Sequence, residues 1–199
     1  MKIMARTDIG KKRKNNEDNY CFSTLKNSPD HMLALVTDGV GGKNFGEVAS
    51  QTTVDVFKEL IELNKLDVAT DINMRAAMLE MSALRAHQAI AEKSTNDKKY
   101  AGMSCTLIAV LIDNENIGFV NVGDSRLYHF SQQKLIQISE DQTVARAHFN
   151  YGRIQEQDIA NHPDKNVLQH ALGVEGLSNP LAPQSKIINW LSNDKILLC

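Results

Sequence analysis

Apolar residues recur along this chain with two distinct periods. From 47 to about 63, Val48, Val54, Phe57, Leu60 and Ile61 fall roughly on one stripe of a helix, and from about 72 to 93 Met74, Met78, Met81, Leu84 and Ile90 do the same. Two adjacent amphipathic helices are predicted, with the methionines filling gaps in the core. Elsewhere the apolar runs are short: 31–37, 104–112, 116–122, 126–130 and 134–138, bounded by turn formers such as Asp113-Asn114 and Ser131-Gln132. These runs read as strands, the last four joined by hairpins into one antiparallel sheet. Strands, then two helices, then strands again argue against regular βαβ alternation and for an α+β layered fold. Residues 141–175 are polar and weakly periodic, an excursion of short helices at the sheet edge, where a lid would sit.

Length narrows this to one domain, since 199 residues fit the roughly 100–200 of a single unit. With 42% hydrophobic residues, 23% charged residues and only 4 Pro, disorder and collagen are excluded. A net charge of −2 from 22 basic and 24 acidic residues gives no overall attraction to nucleic acid or to an anionic membrane. Any phosphate recognition is therefore local. The longest apolar run, Leu107 to Ile112, is far short of the ~20 residues that span a bilayer. The charged start of the chain lacks the apolar core of a secretory signal, so a cytoplasmic location is expected. Cys21, Cys105 and Cys199 are odd in number and far apart, which predicts buried reduced thiols.

Three acidic turns carry the candidate chemistry. Asp38-Gly39-Val40-Gly41-Gly42 follows the apolar run 32–36; it can place a carboxylate and close backbone carbonyls around a cation, or form a glycine-rich turn that the aspartate caps. Phosphate-loop templates fail here, because the positions that need glycine hold Asn44 and Thr37. Asn16-Glu17-Asp18-Asn19 follows the basic run Lys11-Lys12-Arg13-Lys14. That juxtaposition is either solvated surface or a site in which carboxylates hold hard divalent cations and a guanidinium clamps phosphate. Gly123-Asp124-Ser125-Arg126 puts a further aspartate between two apolar runs, as a hairpin turn or as part of the same site. All-oxygen ligation favours Mg²⁺ or Mn²⁺ over zinc. The six histidines show no metal-ligand spacing and read as structural or exposed.

Taken in order, these segments resemble the metal-dependent PPM family of type-2C protein serine/threonine phosphatases. The resemblance runs through residues 13–19, 38–42, 46–50 (Gly46-Glu47-Val48-Ala49-Ser50), 102–107 (Gly102-Met103-Ser104-Cys105-Thr106-Leu107), 123–126, Asp141-Gln142-Thr143 and 168–173. It implies a layered sandwich of two antiparallel β-sheets flanked by helices. It also implies that Asp38 bridges two Mn²⁺ or Mg²⁺ ions, with the Gly39 carbonyl on one of them. Glu17 and Asp18 would support the cluster through coordinated waters, Arg13 would hold the substrate phosphate, and Asp124 would serve a third, weaker metal. Residues 141–172 correspond to a flap within a single domain spanning 1–199.

The reaction so implied is hydrolysis of phosphoserine and phosphothreonine in proteins by a water activated between the metals, with Ser104, Ser125 and Cys105 as spectators. Val40 in place of a histidine is bacterial-like. Residues 193–199 resemble the strand that precedes a Ser-Asp-Gly ligand motif in the family, so the chain is expected to be C-terminally incomplete, to lack the last strands and to hydrolyse phosphoesters poorly or not at all. Expected partners are phosphorylated proteins of a cognate serine/threonine kinase, with no nucleic acid, no membrane and a monomeric state. The alternative is a catalytically inactive PPM-like domain that binds phosphorylated or regulatory proteins.

Overall fold

The computed structural model describes residues 2–40, 45–63, 66, 71–174, 181–191 and 193–199. Strands β1 (Asn19–Thr24), β2 (Met32–Thr37), β5 (Leu107–Ile112), β6 (Asn116–Val122) and β9 (Gln184–Asn189) form an antiparallel sheet in the order β1-β2-β5-β6-β9. β7 (Leu127–Ser131), β8 (Lys134–Gln137) and β10 (Lys195–Leu198) form a second sheet, ordered β10-β7-β8. A short pair, β3 (Gly39–Val40) and β4 (Ser104–Cys105), completes the strands.

The five-stranded sheet is covered on both faces, which explains its unbroken apolar runs. Leu33, Leu35, Leu107, Ala109 and Leu111 point to one side, against helices α1 (Gly46–Glu62) and α2 (Ile72–Asn96). The alternate residues Ala34, Ile108, Val110 and Ile112 point to the other, where Leu127 of β7 and Ile196 and Leu198 of β10 meet them. Two packed antiparallel sheets with helices make an α+β fold, as the element order predicted.

Several local expectations are corrected. The run 104–112 is two strands, because Thr106 leaves the ladder to bond Asp38. The runs from 104 to 138 do not share one sheet: Gly123, at φ +98, turns the chain after β6, so β6 pairs with β9 while β7 pairs with β8 and β10. β1 and β9 fall outside the runs that the apolar pattern marks as strands. Of the stripe expected on α2, Met74, Met81 and Leu84 face outward, 53%, 64% and 43% exposed, whereas Met78 packs against the core and Ile90 is buried in it, as expected. The rest of the buried side carries Ala76, Leu79, Ala83 and Ala86, since small residues let the helix approach Gly118 of β6 closely. Of the cysteines only Cys105 is buried; Cys21 is intermediate and Cys199 exposed, and all three are free.

The polar excursion contains α3 (Val144–Asn150) and a 3-10 turn (Glu156–Asn161). It is tied back through bridges Thr143–Leu168 and Cys105–Leu172. No helix among the described residues is long and apolar enough to cross a membrane.

Two side-chain details yield tests. A Cβ on Gly46 would lie 2.8 Å from the Gly39 carbonyl carbon, and one on Gly39 would lie 2.4 Å from Gly46, so α1 begins in direct backbone contact with β3. Gly46→Ala is expected to lower stability by about 1–3 kcal/mol, the usual cost of overpacking, read from urea denaturation. In the second sheet, Asp194 accepts from the Ser131 hydroxyl, the Leu191 amide and His129 Nε2, which holds its carboxyl below the usual range. A depressed carboxylate adds stability above its unfolded pKa of about 3.9 and loses it as pH falls through the folded value. Asp194→Asn should therefore destabilise the protein most at neutral pH, with the gap from the parent closing as the pH of the unfolding experiment is lowered below 4.

Candidate active site at the end of β2

Asp38 follows directly on β2, and its main chain is held at two points. Its amide donates to the Thr106 hydroxyl at 3.1 Å, and its carbonyl accepts from the Thr106 amide at 2.8 Å. The next residue, Gly39, donates its amide to the Glu17 carbonyl at 3.1 Å, which draws the acidic segment before β1 alongside β2. The sequence leaves the missing Cβ of Gly39 open to two readings, close approach of a ligand or a tight turn. The structure gives another reason, the contact with Gly46. Gly41 and Gly42 of the same motif lie outside the described residues.

Arg13, Glu17, Asp18 and Asp38 line one cleft of about 170 Å³, with Asp8, Asn15 and Asn16 on its walls. A single guanidinium thus faces four carboxylates. Arg13 Nη1 lies 3.8 Å from Glu17 Oε2, an oxygen that is buried and has no hydrogen-bond partner. Asp38 is open to solvent on one side, but crowding by protein atoms pushes its carboxyl up to about 7; the neighbouring Asp18 and then Asp124 push the same way, and Arg13 opposes them. The rest of the basic run, Lys11, Lys12 and Lys14, is exposed.

Asp124 sits in the turn between β6 and β7, near enough for its charge to act on Asp38 but not on the cleft wall. Burial raises its own carboxyl, Asp141 adds to the rise, and its backbone amide and Arg126 oppose it. Arg126 is occupied, gripping both oxygens of Asp141 at 2.8 and 2.5 Å.

These residues fit a divalent cation. Crowded carboxylates, a buried oxygen without a partner and an all-oxygen donor set suit Mg²⁺ or Mn²⁺. Among the described residues no group of three His, Cys, Asp or Glu side chains is placed to hold a metal ion by itself.

The structure therefore brings Arg13, Glu17, Asp18 and Asp38 together, with Gly39 buried next to Asp38 and Asp124 near enough to act on Asp38. Sequence reasoning missed the residues beneath. Gln142 clamps both main-chain groups of Gly123, donating its amide to the Gly123 carbonyl and accepting the Gly123 amide on Oε1, each at 2.9 Å. The Thr106 and Ser125 hydroxyls meet at 2.6 Å. The only signal for them was their place inside the ordered motifs at 102–107, 123–126 and 141–143.

Residues 10–198 match the protein phosphatase 2C family. The chain belongs to that family. The serine/threonine phosphatase Stp of Listeria monocytogenes serotype 4b is 32% identical over 195 residues, covering 98% of this chain and 74% of that protein. The structure of the S. agalactiae serine/threonine phosphatase superimposes with a TM-score of 0.83 at 29% identity, covering 97% of this chain and 76% of that one. The catalytic domain of the serine/threonine protein phosphatase PstP, solved with two manganese ions, superimposes with a TM-score of 0.76 at 28% identity, covering 97% and 74%. The two packed antiparallel sheets with their helices are the protein phosphatase 2C fold, and the protein is a PPM-type serine/threonine phosphatase.

Proposed function

We propose that this protein hydrolyses phosphoserine and phosphothreonine in proteins, with two Mn²⁺ or Mg²⁺ ions held at the end of β2. The observation that carries this reading is the cleft itself, where four carboxylates and one guanidinium converge and a Glu17 oxygen is buried without a hydrogen bond. Asp38 and the Gly39 carbonyl hold the metals, Glu17 and Asp18 support them through water, and Asp124 serves a third, weaker position. Divalent metal there supplies Lewis-acid charge and a lowered pKa for coordinated water. Arg13, exposed at the cleft mouth, binds the substrate phosphate through its planar fork and orients it for in-line attack. Glu17 keeps that guanidinium over the cleft.

No protein nucleophile takes part. The Cys105 thiol is wholly buried and pushed up to about 11 by desolvation, and Ser104 and Ser125 are 4% and 6% exposed. Their hydroxyls are withheld from substrate.

Around this reading we place the remaining assignments: a single catalytic domain over 1–199 with a flap at 141–172, phosphorylated protein substrates made by a cognate serine/threonine kinase, a monomer, and a cytoplasmic setting. The short helices of the flap are bridged to β4 and to each other's flanks, which supports a segment anchored at both ends beside the site.

Two measurements test the roles. Calorimetric titration with Mn²⁺ should show binding by the parent and none of comparable affinity by Asp38→Asn; equal affinities would remove Asp38 from the site. Phosphate release from a phosphoserine peptide in excess Mn²⁺ should be detectable, and Arg13→Ala should reduce kcat/KM by roughly 10–100-fold, as loss of a charge-assisted contact of about 1.5–3 kcal/mol predicts. Mn²⁺ affinity should stay within about twofold. Lost metal binding with unchanged kinetics would reverse the two assignments.

A further inference from the structure

The two aspartates of the site lie on different strand ends, Asp38 after β2 and Asp124 after β6. One residue bonds Asp38 and also the immediate neighbour of Asp124. Thr106, 1% exposed, accepts the Asp38 amide on its hydroxyl, donates its own amide to the Asp38 carbonyl, and shares a 2.6 Å hydrogen bond with the Ser125 hydroxyl, next to Asp124. Its methyl group fills the space where Gly123 would carry a Cβ: that Cβ would stand 2.7 Å from Thr106 Cγ2. Thr106 therefore meets the aspartate turns with both branches of its side chain, and it does so by leaving the strand ladder between β4 and β5.

We infer that Thr106 is a positioning residue for the metal site, fixing Asp38 relative to Asp124 through its hydroxyl, and that metal affinity depends on that hydroxyl although it is not itself a ligand. The inference rests on the metal reading given above. Its physical basis is geometric: like-charged carboxylates on separate strand ends have no spacing of their own, and Thr106 ties the Asp38 main chain to the residue beside Asp124. Unbraced, their strand ends would relax apart until a cation drew them back, and that rearrangement would subtract from binding. The Thr106 hydroxyl makes two hydrogen bonds. It accepts the Asp38 amide and exchanges one hydrogen bond with Ser125, so its orientation is fixed from both sides. Groups that orient ligands in this manner commonly change metal affinity by 10–100-fold when removed.

Shape and hydrogen bonding can be separated at this position. Thr106→Val keeps both branches and the volume but leaves the buried Asp38 amide without its partner. Thr106→Ser keeps the hydroxyl and gives up the methyl that lies on Gly123. Ser125→Ala leaves the Asp38 bond intact and removes only the link toward Asp124. Each variant is titrated calorimetrically with Mn²⁺ after circular dichroism and urea denaturation establish that it is folded. The expected result is at least tenfold weaker Mn²⁺ binding by Thr106→Val, near-parental binding by Thr106→Ser, and an intermediate loss for Ser125→Ala. A role confined to packing predicts the opposite order, with the serine variant the more perturbed and Mn²⁺ affinity of folded valine variant unchanged; that outcome overturns the inference. Should Thr106→Val fail to fold, Ser125→Ala decides, and parental Mn²⁺ affinity there overturns it equally. A parent that binds no Mn²⁺ overturns the metal reading, and this inference with it, whereas a parent that binds tightly beside unaffected variants overturns the inference alone.

Discussion

Like charges held together are the constraint around which this protein is arranged. Asp18 and Asp124 both disfavour the charged form of Asp38, and the one guanidinium at the cleft mouth does not balance them. Such crowding persists only where the surrounding structure leaves the groups no alternative. Here that structure acts on the main chain of the turns that carry the carboxylates. Thr106 pins the Asp38 peptide on both sides, Gly39 ties to Glu17, and Gln142 clamps Gly123. The contact of Gly39 on Gly46 then locks the first turn of α1 against the same strand end. Each tie is modest, about 1 kcal/mol net for an ordinary hydrogen bond, but all converge within a few residues of Asp38. The doubly covered sheet behind them makes their positions rigid.

Much of this was legible from the residue pattern alone. The continuous run 107–112 has no polar face because helices cover one side and a second sheet the other, and such a run reads as a buried strand without any knowledge of its neighbours. The first helix, with Val54, Phe57 and Leu60 buried, followed the period of its large apolar residues. The carboxylates were legible through turns: each falls at a strand end, next to glycine or asparagine, where a polar side chain can leave the sheet.

What the pattern hid were contacts between small groups. On α2 the burial face is set by alanines that let the helix settle near Gly118; ranking residues by hydrophobicity puts Met74 and Met81 inside, while close packing puts them outside. The division of the strands into two sheets turns on the left-handed Gly123, one residue whose conformation no hydropathy pattern encodes. Gly39 shows the same thing at the site. Its lack of a Cβ was legible, but the reason for it, a neighbouring backbone brought from seven residues further on, was not.

The buried hydroxyls carry this furthest. Thr37, Thr53, Thr106 and Ser125 are almost fully hidden, where apolar residues of the same volume would pack without the cost of burying polar atoms. A core free to maximise stability would not keep them. Thr106 meets that cost with four hydrogen-bonding and packing contacts, each leading to a residue beside a carboxylate. The polar layer is thus directed, running from the floor of the cleft to the turn that carries Asp124. Apolar side chains would fill the same volume and leave two repelling strand ends to find their own spacing; hydroxyls fix the spacing, because a hydrogen bond has a direction and a length and a hydrophobic contact has neither.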